Sequence, residues 1–344
     1  MFEEIIKSTK VSQFKEWLSS EKSFVIIGHI GPDGDAVGSS LGLWHLLQSL
    51  GKKAQVVMPN SFPNFLEWMP GSEHIVFFDS DKAAATQFIN NADVICLLDF
   101  NTLSRIGDMG EVVEQAKAKK VMVDHHLDPD DNCDITISYS QIASTSELIF
   151  RLIYQLGYVD KISKEGAECI YTGMMTDTGS FTYNSNHKDI YTIISMLLEK
   201  GIDKDSIYRK VNHTYSESRL KLMGHILSKM KVYPTHTALL TLTAKEQENF
   251  NYIKGDSEGF VNIPLSVKGM VCSCFLREET EPVMIKVSLR SVGTFPCNKM
   301  AAEFFNGGGH LNASGGEFFG TMEEAIEQFE KAIEKYKPLL LEKE

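Results

Sequence analysis

Val121-Met122-Val123-Asp124-His125-His126 is an apolar run that stops on an acid and two adjacent imidazoles. A short uninterrupted apolar run of this kind is the signature of a strand buried on both faces of a parallel sheet, and its polar end is expected to open onto a cleft. Side chains alternate along a strand, so His125 and His126 are expected to face apart unless the backbone turns there, one towards a metal and the other towards a substrate. The other reading is a surface loop carrying two unremarkable histidines.

Two more runs decide between these readings. Phe24-Val25-Ile26-Ile27-Gly28 ends on His29, and Val94-Ile95-Cys96-Leu97-Leu98 ends on Asp99. Ligand sites in open parallel α/β sheets lie beyond the carboxyl ends of the strands, so three runs that each terminate in an acid or histidine point to one shared site. Between the first two runs, the turn Gly31-Pro32-Asp33-Gly34-Asp35 leads into helical periodicity through Val37, Leu41, Trp44 and Leu47 that closes at Gly51. Ala54–Met58 and His74–Phe78 are further strand candidates. Ser144 and Thr145 are read as a helix N-cap first and as site residues second.

At 344 residues with 43% hydrophobic content, the chain exceeds the size of one usual core, so two domains are expected. The pattern places a first domain at 1–186, a helical linker at 187–233 and a smaller second domain at 234–344. In the last of these, Ile285, Val287 and Leu289 alternate with Lys286, Ser288 and Arg290, as a half-covered strand requires. The net charge of −12 argues against a long nucleic-acid groove, because neutralising many phosphates needs concentrated Lys and Arg. The acidic start without a signal-peptide core, and the absence of any apolar run long enough to span a bilayer, read as cytosolic with no membrane partner. Six scattered cysteines without paired spacing are assigned neither zinc nor a disulfide.

His29, Asp33, Asp35, Asp99, His125 and Asp177 supply two imidazoles and four carboxylates. Two carboxylates about 4 Å apart repel by roughly 4 kcal/mol at an effective dielectric of 20, so gathering four calls for divalent cations. Mixed nitrogen and oxygen donors favour Mn²⁺, Fe²⁺ or Co²⁺ over Mg²⁺, although metal supply in the cell overrides affinity. Two ions roughly 3.5 to 4 Å apart are suited to activating water against a phosphate ester. His126 then fits as the group that meets the scissile phosphate or protonates its leaving oxygen, with Asp124 orienting an imidazole from behind. Gly307-Gly308-Gly309 could present backbone N–H groups to an anion, with His310 and Arg290 adding charged donors.

The ordered set Gly28-His29-Ile30-Gly31-Pro32-Asp33-Gly34-Asp35, Asp99, Asp124-His125-His126, Thr176-Asp177-Thr178-Gly179 and Gly307-Gly308-Gly309-His310 resembles the DHH/DHHA1 phosphoesterases, and within them the NrnA-like nanoRNase and 3′-phosphoadenosine-5′-phosphate phosphatase branch. The resemblance implies a parallel-sheet α/β DHH domain joined by the helical linker to a smaller α/β DHHA1 domain that closes over substrate. It also implies two ions, most typically Mn²⁺ with Mg²⁺ or Co²⁺ as alternatives. By motif position His29, Asp33 and Asp99 would hold one ion and Asp35, Asp99, His125 and Asp177 the other, with Asp99 bridging. His126 would contact phosphate, and Arg290 with Gly307 to His310 would clamp substrate. Implied substrates are short oligonucleotides and small nucleotides; the implied assembly is a homodimer. Two other functions stand beside this one: cyclic dinucleotide hydrolysis, and a catalytically silent nucleotide-binding regulator, against which the intact ligand set argues. One position departs from the family pattern. Gly31 stands where Asn usually precedes the proline, which bears on loop geometry or substrate contact and not on metal binding.

Overall fold

The computed structural model describes residues 3–213, 215–281 and 283–342. It divides into two compact units, 1–214 and 215–344. The division falls inside the stretch expected to be a helical linker. The helices of 187–213 belong to the first unit, and the helix and strand of 217–233 belong to the second.

In the first unit, α1 (Ser8–Ser20) precedes β1 (Ser23–Ile27), α2 (Gly34–Ser49), β2 (Lys53–Met58), β3 (Val76–Phe77), α3 (Lys82–Asn90), β4 (Val94–Leu98), α4 (Met109–Gln115), β5 (Lys119–Asp124), β6 (Ile135–Ser138), α5 (Thr145–Leu156), α6 (Lys164–Asp177), α7 (Lys188–Leu198) and α8 (Lys204–Asn212). The strands form one all-parallel sheet in the order β3-β2-β1-β4-β5-β6. Its apolar runs are uninterrupted because both faces are covered. Phe24, Ile26, Cys96 and Leu98 pack towards α2, α5 and α6, whereas Val25, Ile27, Ile95 and Leu97 pack towards α3 and α4. The strand expected over His74–Phe78 is shorter: Ser72–His74 is a 3₁₀ turn, and only Val76 and Phe77 pair with β2.

The strand order reverses between β1 and β4, which makes their carboxyl ends the switch point of the sheet. His29 follows β1, and Asp99 follows β4. Asp177 arrives differently, as the last residue of α6, brought there by close packing of α6 on α2. A Cβ on Gly38 would lie 2.7 Å from the carbonyl oxygen of Cys169 and 2.8 Å from Cα of Gly173. Gly38→Ala should therefore destabilise the first unit by about 1–3 kcal/mol through overpacking against backbone, read as a lowered midpoint of thermal unfolding. An unchanged midpoint would mean that the helices part without cost.

The second unit contains α9 (Glu217–Ser228), β7 (Lys231–Tyr233), β8 (Thr237–Leu242), α10 (Ala244–Asn249), β9 (Cys272–Thr280), β10 (Val283–Ser291), α11 (Cys297–Phe304), β11 (Gly308–His310), β12 (Ala313–Phe318) and α12 (Met322–Leu340). Its sheet runs β11-β12-β10-β9-β8-β7, antiparallel except for the β8–β9 pair. Leu276, Val287 and Leu289 pack against α11 and α12, while Leu240, Leu242 and Phe275 pack with α9 on the opposite face. Thr321 and Glu324 form the expected capping box of α12. Among the described residues, no helix is long and apolar enough to cross a membrane.

Candidate metal centre

Asp99 is 2% exposed and sits in the left-handed region, at φ +68. A non-glycine residue pays for that conformation, a cost proteins tolerate mainly at functional sites. The turn sends the two carboxylate oxygens of Asp99 to different imidazoles: Oδ2 lies 3.5 Å from Nε2 of His29, and Oδ1 lies 3.5 Å from Nε2 of His125. His29 Nε2 is also 3.9 Å from Asp33 Oδ1, and His125 Nε2 is 3.4 Å from Asp177 Oδ2. Each ring is aimed by its other nitrogen, which is hydrogen-bonded to a carbonyl. His29 Nδ1 donates to Ile30 (2.9 Å) and His125 Nδ1 to Ile142 (3.2 Å), an arrangement that turns Nε2 towards a metal position.

Two triads of donor atoms close enough to hold an ion result, His29–Asp33–Asp99 and Asp35–His125–Asp177. A third, Asp99–His125–His126, links them. The rings of His125 and His126 do not face apart. β5 ends at Asp124 and the chain bends, leaving their centroids 4.7 Å apart, edge to face. The imidazole oriented by Asp124 is that of His126: its buried carboxylate accepts from the ring Nδ1 at 2.7 Å and from the backbone N at 3.1 Å.

Thr145 contributes more than its place in a cap. Ser144 is the N-cap of α5 and accepts from Glu147 N. The Thr145 hydroxyl donates to Asp99 Oδ1 at 2.9 Å, and the amides of Thr145 and Ser146 donate to the two oxygens of Asp35 at 2.6 and 2.9 Å. The first turn of α5 thus directs its orphan N–H groups at a buried acid. The signal was the run Ser144-Thr145-Ser146, which carries more hydroxyls than one cap uses.

The cluster is electrostatically unbalanced as it stands. Burial, with the charge of Asp35, raises the Asp99 carboxyl far above the ordinary range. Asp177 rises to about 9 through desolvation and the charge of Asp35, and burial raises Asp35 as well. Burial opposes protonation of His29, but its contacts with Asp99 and Asp33 outweigh that and raise it to about 9. Buried acids whose ionisation is opposed by desolvation and by one another's charge are a donor set that fits divalent cations. The sign of the pH effect follows. A carboxyl raised from about 4 to about 9 loses folded-state stability as pH climbs through that window, and a histidine raised from about 6.5 to about 9 loses its contribution in the same direction. Metal-free protein should therefore melt lower at pH 8.5 than at pH 6, and the rise in midpoint on adding Mn²⁺ should be greater at pH 8.5. A metal-induced rise that does not depend on pH would contradict this electrostatic account.

In the second unit, Arg290, Ala313 and His310 are in register on three neighbouring strands and so share one face of the sheet. Arg290 Nη1 donates to the carbonyls of Leu289 (2.9 Å) and Ser314 (3.4 Å). The triple glycine is not an open loop: Gly308 to His310 form the edge strand β11, paired with β12, and Gly307 donates its N–H to Ala301. In the first unit, Gly31 has φ +65, its added Cβ would meet open space, and its N–H donates to Asn60 at 2.8 Å. Asn tolerates the same left-handed conformation, so the departure at this position keeps the loop geometry.

Residues 23–174 match the DHH family N-terminal domain, and residues 237–337 match the DHHA1 domain. The bifunctional oligoribonuclease and PAP phosphatase NrnA of Thermus thermophilus is 30% identical over 314 residues, covering 91% of this chain and 90% of its own. The chain belongs to the DHH phosphoesterase family. It is a hydrolase acting on phosphate ester bonds. A crystal structure of an exopolyphosphatase-related protein from Bacteroides fragilis matches this DHH protein with a TM-score of 0.98 at 62% identity, covering 99% of this chain and 100% of the other. The cyclic-di-AMP phosphodiesterase GdpP of Bacillus subtilis is 24% identical over 94% of this chain, which spans 49% of GdpP.

Proposed function

We propose that this DHH protein is a metal-dependent phosphodiesterase and phosphatase that removes mononucleotides from short oligonucleotides and dephosphorylates small nucleotides such as 3′-phosphoadenosine 5′-phosphate. The observation that carries the reading is the Asp99 carboxylate, whose two oxygens address two different histidine–carboxylate triads. His29, Asp33 and Asp99 would hold one divalent ion, and Asp35, Asp99, His125 and Asp177 the other, Mn²⁺ being the ion best suited to this mixed donor set. When bound, such ions supply a water nucleophile at neutral pH and neutralise charge on the phosphoryl oxygens.

The protein's own groups do the rest. Thr145 and the first turn of α5 hold Asp99 and Asp35 in one orientation, so the acids need not reorganise during the reaction. Asp124 fixes the tautomer and angle of His126, which contacts the scissile phosphate and passes a proton to the leaving oxygen. Arg290 and His310, on one face of the second sheet, with Gly307, Gly308 and Gly309 beside them, are assigned to binding the substrate's anionic groups.

The short-substrate preference is supported by the name of the Thermus relative and by the chain's net charge of −12, which disfavours long polyanionic strands. Mn²⁺-supported release of mononucleotides from 5′-phosphorylated dimers through twenty-mers should fall steeply with length; equal rates at every length would overturn the preference. The match to GdpP supports a second reading, hydrolysis of cyclic dinucleotides or of their linear products. Parallel assays on cyclic and linear diadenylate separate the two.

A further inference from the structure

Just past Asp177 the chain makes a turn that the metal centre does not use. Gly179, Ser180, Phe181 and Asn184 all have left-handed backbone, at φ +53, +61, +65 and +48, and three of the four are not glycine. Loops seldom carry so many costly residues unless something fixes them. Here Thr178, 1% exposed, donates its hydroxyl to Met174 O at 2.6 Å and accepts from Phe181 N at 3.1 Å. Its carbonyl accepts from both Thr182 N and Tyr183 N at 2.9 Å. Ser185 Oγ donates to Phe181 O at 2.7 Å, and the Phe181 ring packs 5.6 Å from that of Tyr171.

The result of this pinning is the position of Tyr183. The Cδ2–Cε2 side of its ring lies against Gly179, where a Cβ would come within 2.5 and 2.6 Å of those two atoms. The residue nevertheless remains 65% exposed. It fills no core and caps no helix. Gly179 is two residues beyond Asp177, at most about 7 Å along the chain. That reach is comparable to the span from a phosphate to the base of the adjoining nucleoside.

We infer that Tyr183 is a stacking platform for a nucleobase of the substrate, mounted beside the metal centre on a pinned left-handed turn. An exposed aromatic ring held along one edge has flat surface to offer a base. Stacking is indifferent to base identity because every base has a π-face. The inference rests on the short-oligonucleotide reading and gives it a specificity element in the first unit.

Tyr183→Ala should raise KM for 5′-phosphorylated diadenylate by roughly 5- to 150-fold, the range typical of losing one base–aromatic stack. Its kcat should stay within about threefold, and Tyr183→Phe should behave as wild type. On a 5′-phosphorylated dinucleotide lacking both bases, Tyr183→Ala and wild type should have the same KM. A dinucleotide containing 2-aminopurine, bound with Ca²⁺ in place of Mn²⁺, should be quenched by wild type and Tyr183→Phe but not by Tyr183→Ala. An unchanged KM for diadenylate, an equal KM rise on the baseless substrate, or quenching that persists in Tyr183→Ala would each overturn the platform. If wild type released no mononucleotide while quenching still required Tyr183, the platform would stand and the proposed activity would fall.

Discussion

Asp99→Ala should abolish turnover, lowering kcat/KM by roughly 10⁴-fold or more, about 5 kcal/mol at 1.36 kcal/mol per decade. Most divalent-metal binding should go with it. The size of the effect follows from position: one carboxylate lies 3.5 Å from each of two imidazoles that belong to separate triads, so its removal opens both metal positions at once. A second readout separates this loss from misfolding. The Asp99 carboxyl is buried among Asp35 and Asp33, and its charged form is a burden to the metal-free fold. Metal-free Asp99→Asn should therefore melt at or above metal-free wild type at pH 8, while gaining less from added Mn²⁺. Full activity in Asp99→Ala would remove the bridging assignment.

His126→Ala should cost about 10² to 10⁴ in kcat, the usual range for losing a positioned proton-transfer group, while binding the same number of metal ions as wild type. Its ring is held through Nδ1 by Asp124, an acid outside the three triads. The His126 ring also lies within metal-holding distance of Asp99 and His125. Ion counting by calorimetry or elemental analysis on the purified variant decides the matter: a lost ion together with the lost rate would make His126 a ligand.

The sheet was legible where strands are buried on both faces. β1, β4 and β5 appear as uninterrupted apolar runs because neither face meets water, and their polar terminations marked the site. β3 was overextended in the sequence reading because Ile75, although buried, stands between a 3₁₀ turn and a two-residue strand, and hydropathy does not separate those backbones. The pairing of the triple glycine was not legible, because glycine reports conformational freedom and not pairing. That β12 pairs with residues 308–310 depends on a partner strand several residues away.

The sequence alone determined the chemical repertoire: four acids and two histidines of types that can ligate cations, three of them placed at the ends of buried strands. Those properties are local, written in residue type and in the continuity of apolar runs. Only the tertiary structure decided how the groups divide. The left-handed turn at Asp99 aims its two oxygens apart, and the close crossing of α2 and α6 at Gly38 delivers Asp177 from a helix end. The bend after Asp124 brings two histidines together that alternation along a strand would separate. It also made Thr145 a partner of Asp99 and set Tyr183 on Gly179. These outcomes depend on backbone torsions and on packing between segments far apart in the chain, and no single stretch of residues encodes them.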